Sequence, residues 1–373
     1  MRLVPIPPAP PPGKWQLQGK RILVTGGTGS LGKTLVRRIL SGEWGKPKQV
    51  RVFSRDEAKQ HVMRAEFAEL AEQDAGLLYR SISGSDGPLQ FVIGDVRDVA
   101  SLRRALAGVQ VVFNAAALKQ VPSCEYYPWE AVQTNIGGAN ALVQAVLESS
   151  MRPEVVVGVS TDKACKPVNV MGMTKAIQER LFQQANMLAP DVKFVCVRYG
   201  NVLASRGSVI PLFHHQILNG GPVTVTDPRM TRFFLTLDGA VDTIMAAVIH
   251  GEPGDTWIPR APSANILDLA NELTLSNKVE VSVTEIRPGE KLHEELVSVE
   301  EASRALTSKD GSHFVIRSIL PEVRPEPTGE EAWGDRAFSS GNPDHLLSSG
   351  QLRDLLEKHD LLAPQPLGQE VLR

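Results

Sequence analysis

The sequence predicts an α/β protein, a doubly wound parallel sheet followed by a smaller C-terminal lobe, and three observations carry that prediction. Short apolar runs alternate with helical stretches from Arg21 to Tyr199, the pattern of strands joined by crossover helices. A glycine-rich turn, Thr25 to Gly32, separates the first run from the first helix. After Gly200 the alternation gives way to segments marked by Pro and Gly. At 373 residues the chain exceeds one ordinary core, so two lobes are expected.

Taken in order, residues 1–18 are proline-rich and read as an extended arm. Residues 19–205 form the nucleotide-binding part. Its strands are read at Arg21–Thr25, Gln49–Ser54, Phe91–Ile93, Val109–Asn114, Val155–Ser160 and Phe194–Tyr199, each a short β-branched or aromatic run. Between them lie helices read at Leu31–Leu40, Ala58–Glu72, Gly138–Glu148 and Lys175–Leu188. Residues 206–232 and 261–320 are expected to form the smaller lobe, with 233–260, including a helix Leu237–His250, returning to the first part. Residues 321–373 are a C-terminal extension, a loop rich in Pro, Gly, Ser and acids over 321–348 and then a short helix near Leu352–His359.

Composition narrows the function. With 40 basic and 42 acidic residues the net charge is −2, so no global basic field argues for nucleic acid or an anionic membrane. No apolar run reaches 18 residues and prolines break the N-terminus, so no membrane span or signal peptide is read and a cytoplasmic location is expected. The three cysteines, Cys124, Cys165 and Cys196, have an odd count and no metal-type spacing, and read as packing residues in a reducing compartment. His214-His215 lacks a third ligand at motif spacing, and no metal is expected.

The turn Thr25-Gly26-Gly27-Thr28-Gly29-Ser30-Leu31-Gly32 follows a strand and opens a helix. Glycines there permit a tight turn and bring a pyrophosphate against the free N–H groups of a helix N-terminus. The setting predicts a dinucleotide site of Rossmann type on Gly26, Thr28, Gly29, Ser30, Leu31 and Gly32. Past the second strand, Ser54, Arg55 and Lys59 stand where a 2′-phosphate sits, which favours NADP over NAD. Arg55 reads equally as a solvated residue at a helix start. Asp95 and Val96 follow the third strand beside the adenine position. Ala115 and Ala116 follow the fourth, where small side chains admit a cofactor or simply pack tightly.

At the end of the fifth strand stand Thr161, Asp162 and Lys163, with Met171 and Lys175 shortly after. Open α/β sheets place ligands at this end of their strands. An acid beside an amine there suits proton transfer, and the competing reading is a surface ion pair.

The motifs TGGTGSLG, FSRDEAKQ, NAAALKQVPSCEYYPWEAVQTNIGGAN, STDKACKPVNVMGMTK, RYGNVLASRGSVIPLF, TDPRMTRF and RPGEKLHEEL occur in order over residues 19–300. They resemble UDP-N-acetylglucosamine 4,6-dehydratases of the extended short-chain dehydrogenase superfamily, and most resemble the capsule-type enzymes that invert C5. The resemblance implies redox-neutral chemistry: oxidation at sugar C4, loss of water across C5 and C6, and reduction at C6, with NADP as cofactor and UDP-N-acetylglucosamine as substrate. It implies Lys163 as base at C5, Asp162 as acid at O6 and Thr161 near O4. A Lys acts as base only if its pKa is lowered. Met171 stands where the superfamily usually has Tyr, so the phenol that takes the C4 hydroxyl proton is missing, while Lys175 remains to bind the nicotinamide ribose. Lys119 and Glu125 would meet the sugar or shape its pocket. Asn201, Arg206 and Arg232 would lie around the UDP phosphates, Glu290 at the ribose. A homo-oligomer, dimer or hexamer, is expected.

Two rival readings remain at this point. A UDP-sugar 4-epimerase would share the cofactor fold without the elimination, and it needs no base at C5. A non-catalytic NADP-binding sensor would account for the missing Tyr.

Overall fold

The computed structural model describes residues 17–73, 87–205, 207–323 and 333–366. Most of the proline-rich arm and Arg206 lie outside the described residues. Six parallel strands, β1 (Arg21–Thr25), β2 (Gln49–Ser54), β3 (Leu89–Ile93), β4 (Val111–Asn114), β5 (Val155–Val159) and β6 (Lys193–Val197), lie in the order 3-2-1-4-5-6. The order reverses between β1 and β4, where the crossover helices leave a crevice at the carboxyl ends of the strands.

The strands are near-continuous apolar runs because both faces are covered. Alternate residues go to opposite sides: Ile22, Val24, Val111, Phe113, Val155 and Val157 join one core cluster, while Leu23, Val112, Val156 and Phe194 join the other. Period-two alternation thus feeds two layers from one strand.

Helix Val170–Leu188 begins five residues before the expected start. The Asn169 side chain accepts from Gly172 N at 2.7 Å, an N-cap that satisfies an orphan donor. Met171 and Lys175 therefore share the first turns of one helix.

The smaller lobe has its own core of Phe213, Phe234, Leu269, Leu352 and Leu356. It carries a three-stranded sheet of Asn201–Val202, Thr231–Leu235 and Ser263–Asn265. Two findings modify the organisation read from sequence. Within 261–320, the strands Ala305–Thr307 and His313–Ile316 do not stay in the lobe; with Thr256–Pro259 they widen the central sheet to nine strands. Within 321–348, read as a loop, Phe338–Ser339 pairs antiparallel with Glu295–Val297. Both strands are too short for periodicity to declare them, and His313–Ile316 is fully buried, so its polar and apolar residues do not alternate.

Candidate active site

A cavity of about 850 Å³ runs from the glycine turn, across the ends of β1, β4 and β5, to the segment Arg287–Glu290 of the smaller lobe. The turn is built for close approach. Gly26 has φ +67°, and a Cβ there would lie 2.7 Å from Ala116 N; one on Gly32 would lie 2.5 Å from Gly27 Cα. Any side chain would separate β1 from β4 or the helix from its turn. Gly29, by contrast, would meet only Gly26 O at 3.5 Å, so its backbone faces open space. All the residues expected at the dinucleotide line this end of the cavity, Gly26 through Gly32 with Thr28, Ser30 and Leu31, then Ser54, Arg55, Lys59, Asp95, Val96, Ala115 and Ala116. The Ser54 hydroxyl and carbonyl both accept from Gln60 Nε2 at 3.0 Å. Lys59 is paired with Asp56 at 3.0 Å. Asp95 is gripped by Arg97 at 2.7 Å, whose hydrogen bonds pull its carboxyl below the usual range. Arg55 is exposed at the cavity wall.

The loop after β4 is held by a residue the sequence reading missed. Asn135 accepts from Leu118 N at 2.8 Å and donates to Leu118 O at 3.0 Å and Thr174 Oγ1 at 2.9 Å. It ties the cofactor side of the cavity to the helix carrying Met171 and Lys175. Met171 is 4% exposed, lines the cavity and packs on Cys124 and Ala131. Lys175 lines it too, donates to Gln178 Oε1, and has its pKa pulled down to about 8 by burial.

At the end of β5 the side chains are arranged in two rows. Thr161 and Lys163 line the cavity. Asp162 sits behind them with no exposed surface, accepting from Thr161 Oγ1 at 2.8 Å and Lys163 Nζ at 3.0 Å. Its Oδ2 has no hydrogen-bond partner among the described residues. The pair is thus internal, and the surface ion pair considered from sequence is not what the chain forms. Lys163 also faces Glu294, with Nζ to Oε1 at 3.6 Å. Burial works to lower the Lys163 pKa, but Asp162 and Glu294 outweigh it and the pKa is raised. The condition set from sequence, a lowered pKa, is not met in the unliganded protein, because two buried carboxylates hold the proton on.

Toward the lobe, Lys119, Asn201, Arg232 and Glu290 line the cavity. Arg232 is 7% exposed, donates to the Thr231 and Leu292 carbonyls at 2.7 and 3.1 Å, and has Nε 3.9 Å from Glu294. Glu290 accepts from Arg287 N at 3.3 Å. Glu125 is different: it is not among the lining residues, and its Oε1 accepts from Val170 N at 2.7 Å. Its charge serves the helix N-terminus, which favours an acid. Of the histidines, His214 is buried with Nε2 2.9 Å from Leu361 O, a packing contact with the tail.

Behind the site, Arg198 binds Glu179 at 2.6 Å and Glu301 at 2.9 Å, and Glu179 accepts from Ser160 Oγ at 2.6 Å. The Cys165 thiol donates to Glu301, and burial pushes its pKa up, so it is an inert packing group.

A six-stranded parallel sheet with a glycine turn and a Lys163–Asp162 pair on one cavity at its carboxyl edge is a fold of the extended short-chain dehydrogenase type. Residues 22–316 match the family described as polysaccharide biosynthesis protein, and the chain belongs to that family. A protein of Rickettsia conorii named UDP-glucose 4-epimerase is 43% identical over 296 residues, 78% of this chain and 81% of that one. Among solved structures, Pen from Bacillus thuringiensis is 32% identical with a TM-score of 0.81, covering 92% of this chain and 99% of that one. DesIV of Streptomyces venezuelae, a dTDP-glucose 4,6-dehydratase with NAD and TYD bound, is 23% identical over 73% of this chain and 86% of that one, with a TM-score of 0.61. That last likeness is one of fold.

Proposed function

We propose that the protein is an NADP-dependent UDP-N-acetylglucosamine 4,6-dehydratase that inverts C5 and supplies a 4-keto-6-deoxy sugar nucleotide for surface polysaccharide. The observation that carries this reading is the ammonium of Lys163 facing the cavity with the Asp162 carboxylate directly behind it. With Met171 in place of the Tyr, a simple exchange of configuration at C4 needs one group for the O4 proton, whereas elimination needs a further one for H5, and the Asp162–Lys163 pair offers two. The cofactor, when bound, supplies reversible oxidation at C4 and reduction at C6.

The chain's own residues divide the remaining work. Gly26 to Gly32 give the pyrophosphate its backbone donors. Arg55 meets the 2′-phosphate with charge-assisted hydrogen bonds, which is the basis for NADP rather than NAD. Lys175 holds the nicotinamide ribose. Lys163 takes H5 once neutral. Thr161 stands between the sugar and Asp162, so the proton that leaves O4 on oxidation passes through the Thr161 hydroxyl to the Asp162 carboxylate, and the same relay returns it to the departing O6. Met171 contributes shape and excludes water. On the lobe side, Asn201, Arg206 and Arg232 serve the phosphates, Glu290 the ribose, and Lys119 the sugar.

The expected homo-oligomer would use Tyr126, Tyr127 and Trp129, which are 82%, 67% and 66% exposed on and between the short helices Val121–Tyr126 and Pro128–Ala131, packed against Val170–Leu188. Met173 and Ile177 of that helix, one turn apart, are also exposed.

The second reading is the 4-epimerase, favoured by the name of the Rickettsia relatives at 43% identity. Incubation of purified protein with UDP-N-acetylglucosamine and no added reductant separates the two. The expected product is lighter by one water and, in deuterated solvent, carries deuterium at C5. A product of unchanged mass that is the C4 epimer overturns the dehydratase reading.

A further inference from the structure

Glu294 has no role in the chemistry described so far, yet it occupies an unusual place. It is 2% exposed and lines the cavity, its Oε1 stands 3.6 Å from Lys163 Nζ, and its Oε2 has no hydrogen-bond partner among the described residues. Its backbone is clamped at both ends: Glu294 N donates to Ser340 Oγ at 2.9 Å, and Ser340 N donates to Glu294 O at 2.8 Å. A carboxylate fixed this firmly and almost wholly buried, with an oxygen left over, is costly unless it acts on something.

We propose that Glu294 is a positioning residue that sets the proton affinity of Lys163 and, with Asp162, aims its ammonium into the cavity. Lys163 bridges two buried carboxylates, Asp162 at 3.0 Å and Glu294 at 3.6 Å. The other charges facing this group are Arg232, 3.9 Å from Glu294 Oε1, and Lys291, 3.8 Å from Glu294 Oε2. Both cations moderate Glu294 without replacing it. Asp162 is the chain neighbour of Lys163, whereas Glu294 reaches it from a segment distant in sequence, directly before the strand Glu295–Val297, whose Leu296 and Val297 pack in the core of the central sheet. Burial raises the Glu294 pKa while Lys163 opposes that rise, which fits a carboxyl whose charge depends on its partner.

The use of Lys163 as a base rests on the function proposed above; the effect of Glu294 on its charge does not. The test uses full-length protein labelled with ¹³C at lysine Cε, saturated with NADP and free of sugar nucleotide. The Lys163 resonance is assigned by its loss in Lys163→Arg. An opposite charge within ~4–6 Å moves a pKa by about 1–3 units, so Glu294→Gln should bring the Lys163 titration midpoint to lower pH by about that much, with the other lysine resonances, except that of Lys291, which also faces Glu294, unchanged. Glu294→Asp keeps the charge and should recover most of the wild-type midpoint. Coincident midpoints in wild type and Glu294→Gln overturn the proposal, as does Glu294→Asp behaving like Glu294→Gln while still folded. In a second arm, turnover of UDP-N-acetylglucosamine is followed against pH, and the rising limb for Glu294→Gln should move down by the same amount. A shifted midpoint in a protein that makes no dehydrated product leaves this inference standing and removes the dehydratase reading instead.

Discussion

The Lys163 ammonium folds back onto the carboxylate of the residue before it, Nζ to Asp162 Oδ1 at 3.0 Å, although side chains of adjacent residues in a strand point to opposite faces. The contact is possible because the strand ends at Val159 and the chain enters a single 3₁₀ turn over Asp162–Ala164, capped by the Thr161 hydroxyl. The pair is a product of that turn.

Removing the amine should remove the proton transfer. Lys163→Ala is expected to lower single-turnover rate by about 10²–10⁴ while NADP and UDP still bind. Met171→Leu conserves volume and should cost less than about 1.5 kcal/mol of stability with little loss of rate. A greater loss in Met171→Leu, with binding intact, reverses the division of roles.

Cofactor choice is expected to depend on Arg55. A charge-assisted hydrogen bond contributes about 1.5–3 kcal/mol, so Arg55→Ala should weaken NADP binding by that amount per contact and leave NAD binding nearly unchanged. Titration of the variant with both cofactors measures the difference.

Gly172 should tolerate no side chain. A Cβ there would lie 2.1 Å from the Lys163 carbonyl oxygen. Gly172→Ala must push the 3₁₀ turn away from the helix, an overpacking that costs about 1–3 kcal/mol, and the accompanying loss of rate should exceed the loss of cofactor affinity. Denaturant unfolding and kinetics on the same sample check both.

Arg198 is predicted to govern acid stability. Burial alone would raise the Glu301 carboxyl, but Arg198 overrides it and draws it from 4.5 down to about 2. A folded-state pKa below the unfolded one contributes stability that is present above about 4.5 and is lost as the pH falls toward 2. Arg198→Met leaves Glu179 and Glu301 buried without their cation and should destabilise by about 3–5 kcal/mol at neutral pH. With burial then raising the Glu301 carboxyl, the acid-side slope assigned to it should reverse. Unfolding measured from pH 7 to 3 in both proteins tests magnitude and slope together.

Much of this arrangement was legible in the chain. The six parallel strands announce themselves because each is a short apolar run between turn residues, and the glycine turn is set by a strand before it and a helix after it. Lys163 and Thr161 could be placed at the cavity because the end of a buried parallel strand has only one place to go. Three things were not legible. The depth of Asp162 depends on a one-turn 3₁₀ segment that leaves no periodic trace. The helix start at Val170 depends on Asn169 acting as a cap, a signal that was present and passed over. Glu294 lies within RPGEKLHEEL, where Glu290 drew attention; Glu294 and Glu295 are consecutive acids, and only the pairing of Glu295–Val297 with Phe338–Ser339 decides which of them turns inward.

That pairing has a consequence for how the protein tolerates change. Ser340 lies 46 positions beyond Glu294, yet its amide and hydroxyl fix the acid's backbone, and its hydroxyl also contacts Thr231 at 2.8 Å beside Arg232. The segment Phe338–Ser340 is thus a remote support of the site, joined to it by the hydrogen bonds of Ser340 and by the packing of Phe338 on Phe233, Leu296 and Val297. Ser340→Ala should displace the pH optimum as well as lower the melting temperature, because it leaves the Glu294 amide without its acceptor. A survey that scores only folding would record the second effect and miss the first.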